Sequence, residues 1–204
     1  MTARARLNPQ RVVFAEADNY KILRAAQIVK DENIAIPILL GKEKKINALI
    51  EEHNLDLEHV EIIDPKEEQH LEQRKSYGKE LFNRRQRKGL TQFESQQKMR
   101  DRNYFGAMMV EQGDADAFIS GITRNYPETI RPALRIFGTE EGVNKIAGMY
   151  ILITKKGPVF FADTTINVNP TAQDLADIAV LTANSVKRMK IKPRIAMLSF
   201  ANFG

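Results

Sequence analysis

Apolar and polar positions recur along this chain with two different periods, and the changes between them mark its elements. "RVVFAEA" (11–17) is a short β-rich run, and in "YKILRAAQIVKDE" (20–32) Ile22, Leu23, Ala26 and Val29 recur at helical spacing. "IPILLG" (36–41) predicts an apolar strand closed by glycine. "KEKKINALIEEHN" (42–54) predicts a helix with Ile46, Leu49 and Ile50 on one face, and "VEIID" (60–64) a third strand. The βαβαβ order implies a parallel sheet covered by helices. A long charged stretch from Pro65 to Gly89 follows, then two helical segments, "TQFESQQKMRD" and "NYFGAMMVEQG", leading into the strand "AFIS" (117–120). Further on, "GMYILIT" and "PVFFAD" flank "KKG", the composition of a hairpin with a glycine turn. "TAQDLADIAVLTANSVKRMK" (171–190) places Leu175, Ile178, Ala179, Thr182 and Val186 on one stripe, with Pro170 as a start signal, and "RIAMLSF" (194–200) predicts another strand.

The change of pattern near residue 140 sets the expected domains: a first α/β lobe over 1–140 and the start of a second over 141–204. That second lobe is expected to be truncated. The chain stops directly after a strand, where an α/β unit would next need a covering helix.

Composition narrows the function classes. With 204 residues, 43% hydrophobic and 28% charged, the chain is an ordinary globular sequence. No apolar stretch reaches the roughly 18 residues that cross a bilayer, and the start "MTARARLNPQ" lacks the apolar segment of a secretory signal. A cytoplasmic protein with no membrane partner is expected. The absence of cysteine removes disulfides, thiolate metal sites and thiol nucleophiles together. A net charge of +5 suits a phosphorylated ligand as well as nucleic acid. No aromatic stacking residues are interleaved with the densest basic cluster, "NRRQRKG" (83–89), so no nucleic-acid partner is expected. That cluster reads either as a helix end capped by a left-handed Gly89 or as an anion contact through an arginine such as Arg85. There is no G-x-G-x-x-G and no P-loop. His53, His59 and His70 lack metal spacing and are expected on the solvated surface, with no metal site. Asp114 and Asp116, at the start of "AFIS", are of a kind that more often caps or turns than catalyses.

The segment "SGITRNYPETIRPALRI" (120–136) carries the candidate chemistry. In parallel α/β sheets ligands collect outside the carboxyl ends of strands, and "AFIS" ends in Ser120 and Gly121. Gly121 lets backbone approach a ligand closely. Pro127 and Pro132 are not both expected inside a helix, so the helix is expected to start between them, with Arg131 in its first turn. Helix-end amides and a guanidinium would then converge on an anion. The alternative is a proline-punctuated turn whose arginines pair with carboxylates such as Glu128.

"GDADAFISG", "ETIRPALRI", "FFADTTINVNPTAQDLADIA" and "RIAMLSF" together resemble the phosphate acetyl/butyryltransferase family across nearly the whole chain, and "VVFAEADNYKILRAAQ" and "NYFGAMMVEQGDAD" agree in order. "TRNYPETIRPAL" and "LSFANFG" look most like the C-terminal phosphotransacetylase-like domain of bacterial hybrid NADP-dependent malic enzymes. The resemblance implies a three-layer α/β/α, two-lobed fold of the isocitrate/isopropylmalate dehydrogenase type, and acyl transfer between acyl phosphate and coenzyme A. It places a phosphate-recognising arginine on Arg131, a second functional arginine on Arg85, and loop positions on Ser120 and Ser199. Catalytic residues stay unassigned. Arg124, Asn125 and Tyr126 stand where active transferases show a histidine followed by hydroxyl residues, which adds Arg124 to the candidate ligand contacts. Ala201 and Asn202 replace a further pair of hydroxyls, and the segment carrying the family's aspartate base would lie beyond Gly204.

Three readings follow. The favoured one is an acetyl-CoA- or acyl-phosphate-sensing regulatory and oligomerisation module of a malic enzyme, with Arg85, Ser120, Gly121, Arg124, Arg131 and Ser199 as ligand contacts. It implies a homo-oligomer, with no cofactor in this chain beyond CoA or acetyl-CoA as ligand. NADP and a divalent metal are expected only in a malic enzyme domain. The alternatives are an active phosphate acetyltransferase and a ligand-free structural assembly domain.

Overall fold

The computed structural model describes residues 2–139, 143 and 145–198. They fall into two compact units, one ending at Gly138 and the other beginning at Thr139.

The first unit opens with a short helix α1 (Thr2–Ala5) and continues as β1 (Gln10–Phe14), α2 (Tyr20–Asp31), β2 (Ala35–Leu40), α3 (Glu43–Glu52) and β3 (Glu61–Ile63). Three helices follow, α4 (Leu71–Arg85), α5 (Gln92–Lys98) and α6 (Arg102–Gln112), then β4 (Ala117–Ile119) and α7 (Tyr126–Ile136). The four strands form one parallel sheet in the order β3-β2-β1-β4, so the expected βαβαβ sheet is present and the long helical excursion returns the chain to the far side of β1.

Helices cover both faces because successive strand residues point in opposite directions. Val13, Ile38, Leu40 and Ile63 pack with Tyr77, Leu81, Phe105 and Met108 of α4 and α6, whereas Phe14 and Leu39 pack with Leu23, Ala26 and Ile46 of α2 and α3. These are near-continuous apolar strands, as burial on both faces requires. Gly106 sets how closely α6 and β4 approach, since a Cβ there would lie 2.6 Å from the Phe118 ring.

The helix boundaries follow local chemistry. Asn19 caps α2, Thr91 and Glu94 form a reciprocal capping box on α5, and Asp101 caps α6 by accepting from the amides of Asn103 and Tyr104. Gly89 closes the turn after α4 at φ +82°, the left-handed end expected of "NRRQRKG".

Helix α7 departs from expectation. It starts at Tyr126 under an Asn125 cap, before Pro127, and runs through Pro132, so Arg131 is its sixth residue and lies outside the first turn. Pro127 sits where an amide hydrogen would have no helical partner in any case. Pro132 forfeits one backbone bond but is buried, and the apolar contact offsets the loss.

The second unit contains the expected hairpin, β5 (Met149–Thr154) paired antiparallel with β6 (Gly157–Ala162), and helix α8 (Ala172–Arg188) capped by Thr171 and Asp174. Asp163 follows β6 and gathers the amides of Gly148, Thr165, Ile166 and Asn167 together with the Asn167 side chain. Burial works against its charge, yet those bonds win and hold its pKa at about 2. The strand expected at 194–200 is not found over 194–198, because no partner strand pairs with it among the described residues. Residues 199–204, including the Ser199, Ala201 and Asn202 singled out above, lie outside the described residues.

Candidate functional site

Sheet order decides where a site can form. Chain connections leave β1 towards β2 on one side and reach β4 on the other, so the carboxyl ends of β1 and β4 flank the switch point where open parallel sheets leave a crevice. The register Phe14↔Ile119 extends by one more bond, from the Ala15 amide to the Ile119 carbonyl at 3.1 Å. Beyond it, Glu16 leaves β1 directly beside the loop that leaves β4.

Glu16 is buried, at 6% exposure. Its Oε1 accepts from the amides of Gly121 and Ile122, each at 3.1 Å, and its Oε2 from the Thr123 amide at 2.9 Å and the Thr123 hydroxyl. Burial alone would raise its pKa, but the Thr123 hydroxyl and the loop amides hold it below the ordinary carboxylate range. Gly121 turns this loop at φ +98°, a conformation that a side chain resists.

A second pin follows at once. The Arg124 guanidinium donates to Asp101 Oδ2 at 2.7 Å, while the other Asp101 oxygen caps α6. Burial opposes the Arg124 charge, but the Asp101 bond outweighs it and raises the pKa above the usual value. Ser120 donates its hydroxyl to Asn103 Oδ1 at 2.7 Å; Asn103 is fully buried and its Nδ2 has no partner among the described residues. Nearby, Arg102 grips Asp18 with both terminal nitrogens at 2.7 and 3.1 Å, with Lys45 at 3.3 Å on the same carboxylate.

Glu128, Arg131 and Arg135 recur at i, i+3 and i+7, which brings them onto one face of α7, and Arg124, just before the helix, lines the same depression. With Lys98 and Asp101 they line a depression of about 250 Å³. An adjoining depression of about 410 Å³ shares Lys98 and Arg135 and adds Arg85, Lys88 and Glu94. Most of these cations are already committed. Arg135 donates to the Tyr104 hydroxyl at 2.8 Å, Lys98 lies 5.3 Å over the Tyr104 ring, and Arg85 donates to the Arg135 and Leu134 carbonyls at 2.6 and 2.9 Å, closing the C-terminal end of α7. The Arg131 side chain is exposed and makes no hydrogen bond or ion pair among the described residues.

The structure therefore brings Ser120, Gly121, Arg124 and Arg131 to one edge of the first unit and places Arg85 at the opposite end of α7, over the second depression. The alternative left open by the sequence, that these arginines pair with carboxylates such as Glu128, is realised for Arg124 alone, on Asp101, and not for Arg131 among the described residues. Three positions escaped the sequence reading, Glu16, Asp101 and Asn103. A carboxylate directly after an apolar strand, as in "VVFAE", was the available signal for the first.

Asp114 and Asp116 do structural work. Asp114 accepts from the Tyr77 hydroxyl, and Asp116 holds Arg11 at the amino ends of the strands. His53 and His59 are exposed as expected, whereas His70 is half-buried against Phe105 with Nε2 unpartnered. Among the described residues no group of three or more histidines and carboxylates could hold a metal ion, and no helix is long and apolar enough to cross a membrane.

A profile of the family described as "Phosphate acetyl/butaryl transferase" matches residues 1–204. The chain is similar to the phosphate acetyltransferase of Bacillus subtilis (strain 168), 38% identical over 194 residues, which are 95% of this chain and 59% of that protein. It is also similar to the NADP-dependent malic enzyme of Escherichia coli (strain K12), 34% identical over 206 residues, 99% of this chain and 27% of that one. In three dimensions it matches the EutD phosphotransacetylase from Staphylococcus aureus with a TM-score of 0.85 at 32% identity, covering 98% of this chain and 59% of the other. A phosphotransacetylase from Streptococcus pyogenes matches with a TM-score of 0.84 at 33% identity. The chain thus spans about three fifths of the Bacillus, Staphylococcus and Streptococcus transferases.

Proposed function

The chain belongs to the phosphate acetyl/butaryl transferase family, and from that premise we propose that it forms part of a phosphate acetyltransferase, exchanging an acetyl group between acetyl phosphate and coenzyme A. Both substrates are polyanions. The observation that carries the reading is Arg131, an exposed guanidinium with no partner among the described residues, lining the same depression as Arg124 and Arg135 at the switch point of a parallel sheet.

The chemistry requires such a surface. Sulfur of the CoA thiolate attacks the acetyl carbonyl, a C–S bond forms, the C–O bond to phosphorus breaks, and phosphate leaves with the bonding electron pair. The thiol proton ends on phosphate. Negative charge gathers first on the carbonyl oxygen and then on the departing phosphate, where fixed cations and amides that need no reorganisation stabilise it best. Arg131 is free to meet the phosphoryl oxygens, while Arg124 and Arg135, held by Asp101 and Tyr104, supply field from fixed positions.

A two-lobed arrangement of the isocitrate/isopropylmalate dehydrogenase type, a homo-oligomer and a cytoplasmic setting belong to the same proposal. The division at Gly138 accords with the first, and the exposed Tyr150, Ile153 and Phe161 of the hairpin with the second. The malic enzyme relatives support a second reading, the sensing module favoured from the sequence alone, in which Arg124 locked on Asp101 serves recognition without turnover. Transfer takes precedence because the Bacillus transferase is the more similar of the two relatives compared.

The test is thioester formation from acetyl phosphate and CoA by the natural full-length protein, with calorimetry alongside. Sustained acetyl-CoA formation supports transfer. Saturable acetyl phosphate or acetyl-CoA binding without turnover selects sensing, and neither binding nor turnover removes both.

A further inference from the structure

The loop at residues 120–125 has no regular secondary structure, yet it aims the cationic face of α7. Something must hold it, because free backbone over six residues costs roughly 1–2 kcal/mol of ordering per residue. Three consecutive amides, of Gly121, Ile122 and Thr123, and one hydroxyl all converge on the carboxylate of Glu16, 105 to 107 residues earlier in the chain. A carboxylate is the side chain suited to this place, since it accepts on both oxygens and donates on neither; a glutamine would turn an NH2 group towards one of the donors. Register fixes its reach. Because β1 and β4 are paired to Phe14↔Ile119 and Ala15 adds the last bond, Glu16 is the first β1-side residue free to cross to the loop.

We propose that Glu16 is a positioning residue for anion recognition: by holding amides 121–123 it sets Arg124 against Asp101 and carries Arg131 into the depression. It does not touch the ligand. The inference rests on the transferase reading insofar as CoA is the anion used to probe it.

The test measures CoA binding by calorimetry, together with thermal melting, in the full-length protein and three variants. Glu16→Gln is expected to weaken CoA at least tenfold while the protein remains folded. Thr123→Val, which removes only the hydroxyl donor, is expected to weaken it about threefold. Asp116→Asn breaks the Arg11 pair at the other end of the same strands, so it lowers melting while leaving CoA affinity within twofold.

Wild-type affinity in Glu16→Gln overturns the proposal, as does an equal loss in Asp116→Asn, which would reduce Glu16 to general stability. If Glu16→Gln fails to fold, unchanged affinity in Thr123→Val overturns it and a selective loss there supports it. A wild-type protein that binds no CoA at all refutes the transferase reading and this inference with it, an outcome distinct from binding that ignores Glu16.

Discussion

Replacing Arg131 by alanine separates ligand recognition from folding more cleanly than any other change at this site. The side chain is exposed and has no hydrogen-bond or ionic partner among the described residues, so its removal should leave stability within about 0.5 kcal/mol, the usual range for such surface positions. Alanine is also a good helix former, and position 131 is well inside α7. A charge-assisted contact to a phosphoryl group, by contrast, is worth on the order of 1.5–3 kcal/mol, which is roughly a ten- to hundredfold loss in affinity. Arg131→Lys should fall between, because it keeps the charge but loses the two-pronged geometry that fits phosphate. Titration calorimetry with acetyl phosphate and with CoA reads the affinity, and a thermal melt on the same samples reads the fold. Raising salt should narrow the gap between wild type and Arg131→Ala, since an exposed contact is screened. Equal affinity in both proteins would refute the assignment of Arg131. A large fall in melting temperature would refute the premise that it lacks a structural partner.

Two further outcomes follow from other parts of the chain. Ser120→Ala removes the one side-chain bond that Asn103 makes among the described residues, where its buried Nδ2 is already unpartnered, and should destabilise the protein by about 1–3 kcal/mol; an unchanged urea midpoint would contradict it. Asp163 has a folded-state pKa of about 2 against an ordinary value of 3.8, so its stabilising contribution is complete above the unfolded value and is lost as pH falls through the folded one. Melting of Asp163→Asn should therefore lie several degrees below wild type at pH 7 and converge with it towards pH 2; a gap independent of pH would show that the charge is not responsible.

The alternation of apolar strand and amphipathic helix was sufficient to predict β1 through β3 and their parallel pairing, because periodicity is a local property that each segment carries by itself. The left-handed end at Gly89 was legible for the same reason, since its amide bonds back only to Gln86; the caps Asn19, Thr91, Asp101 and Thr171 act just as locally but were not singled out. The hairpin around Lys155 and Lys156 was equally local. Helix α7 was misplaced because a proline's cost at position 132 is weighed against burial, which no short window reports. The strand expected at 194–200 failed likewise over its described part, 194–198, since a strand needs a partner as well as a propensity. The site belonged to tertiary structure almost entirely. Arg131 could be named from its neighbours in sequence, but that Arg124 pairs with Asp101, 23 residues away, while Arg131 stays unpaired among the described residues, was set by tertiary packing. Glu16 became a partner of Gly121 only because β4 returned beside β1 and not beside β3, and hydrogen bonds between residues more than a hundred positions apart are set by that strand order, which local hydrophobic spacing does not encode.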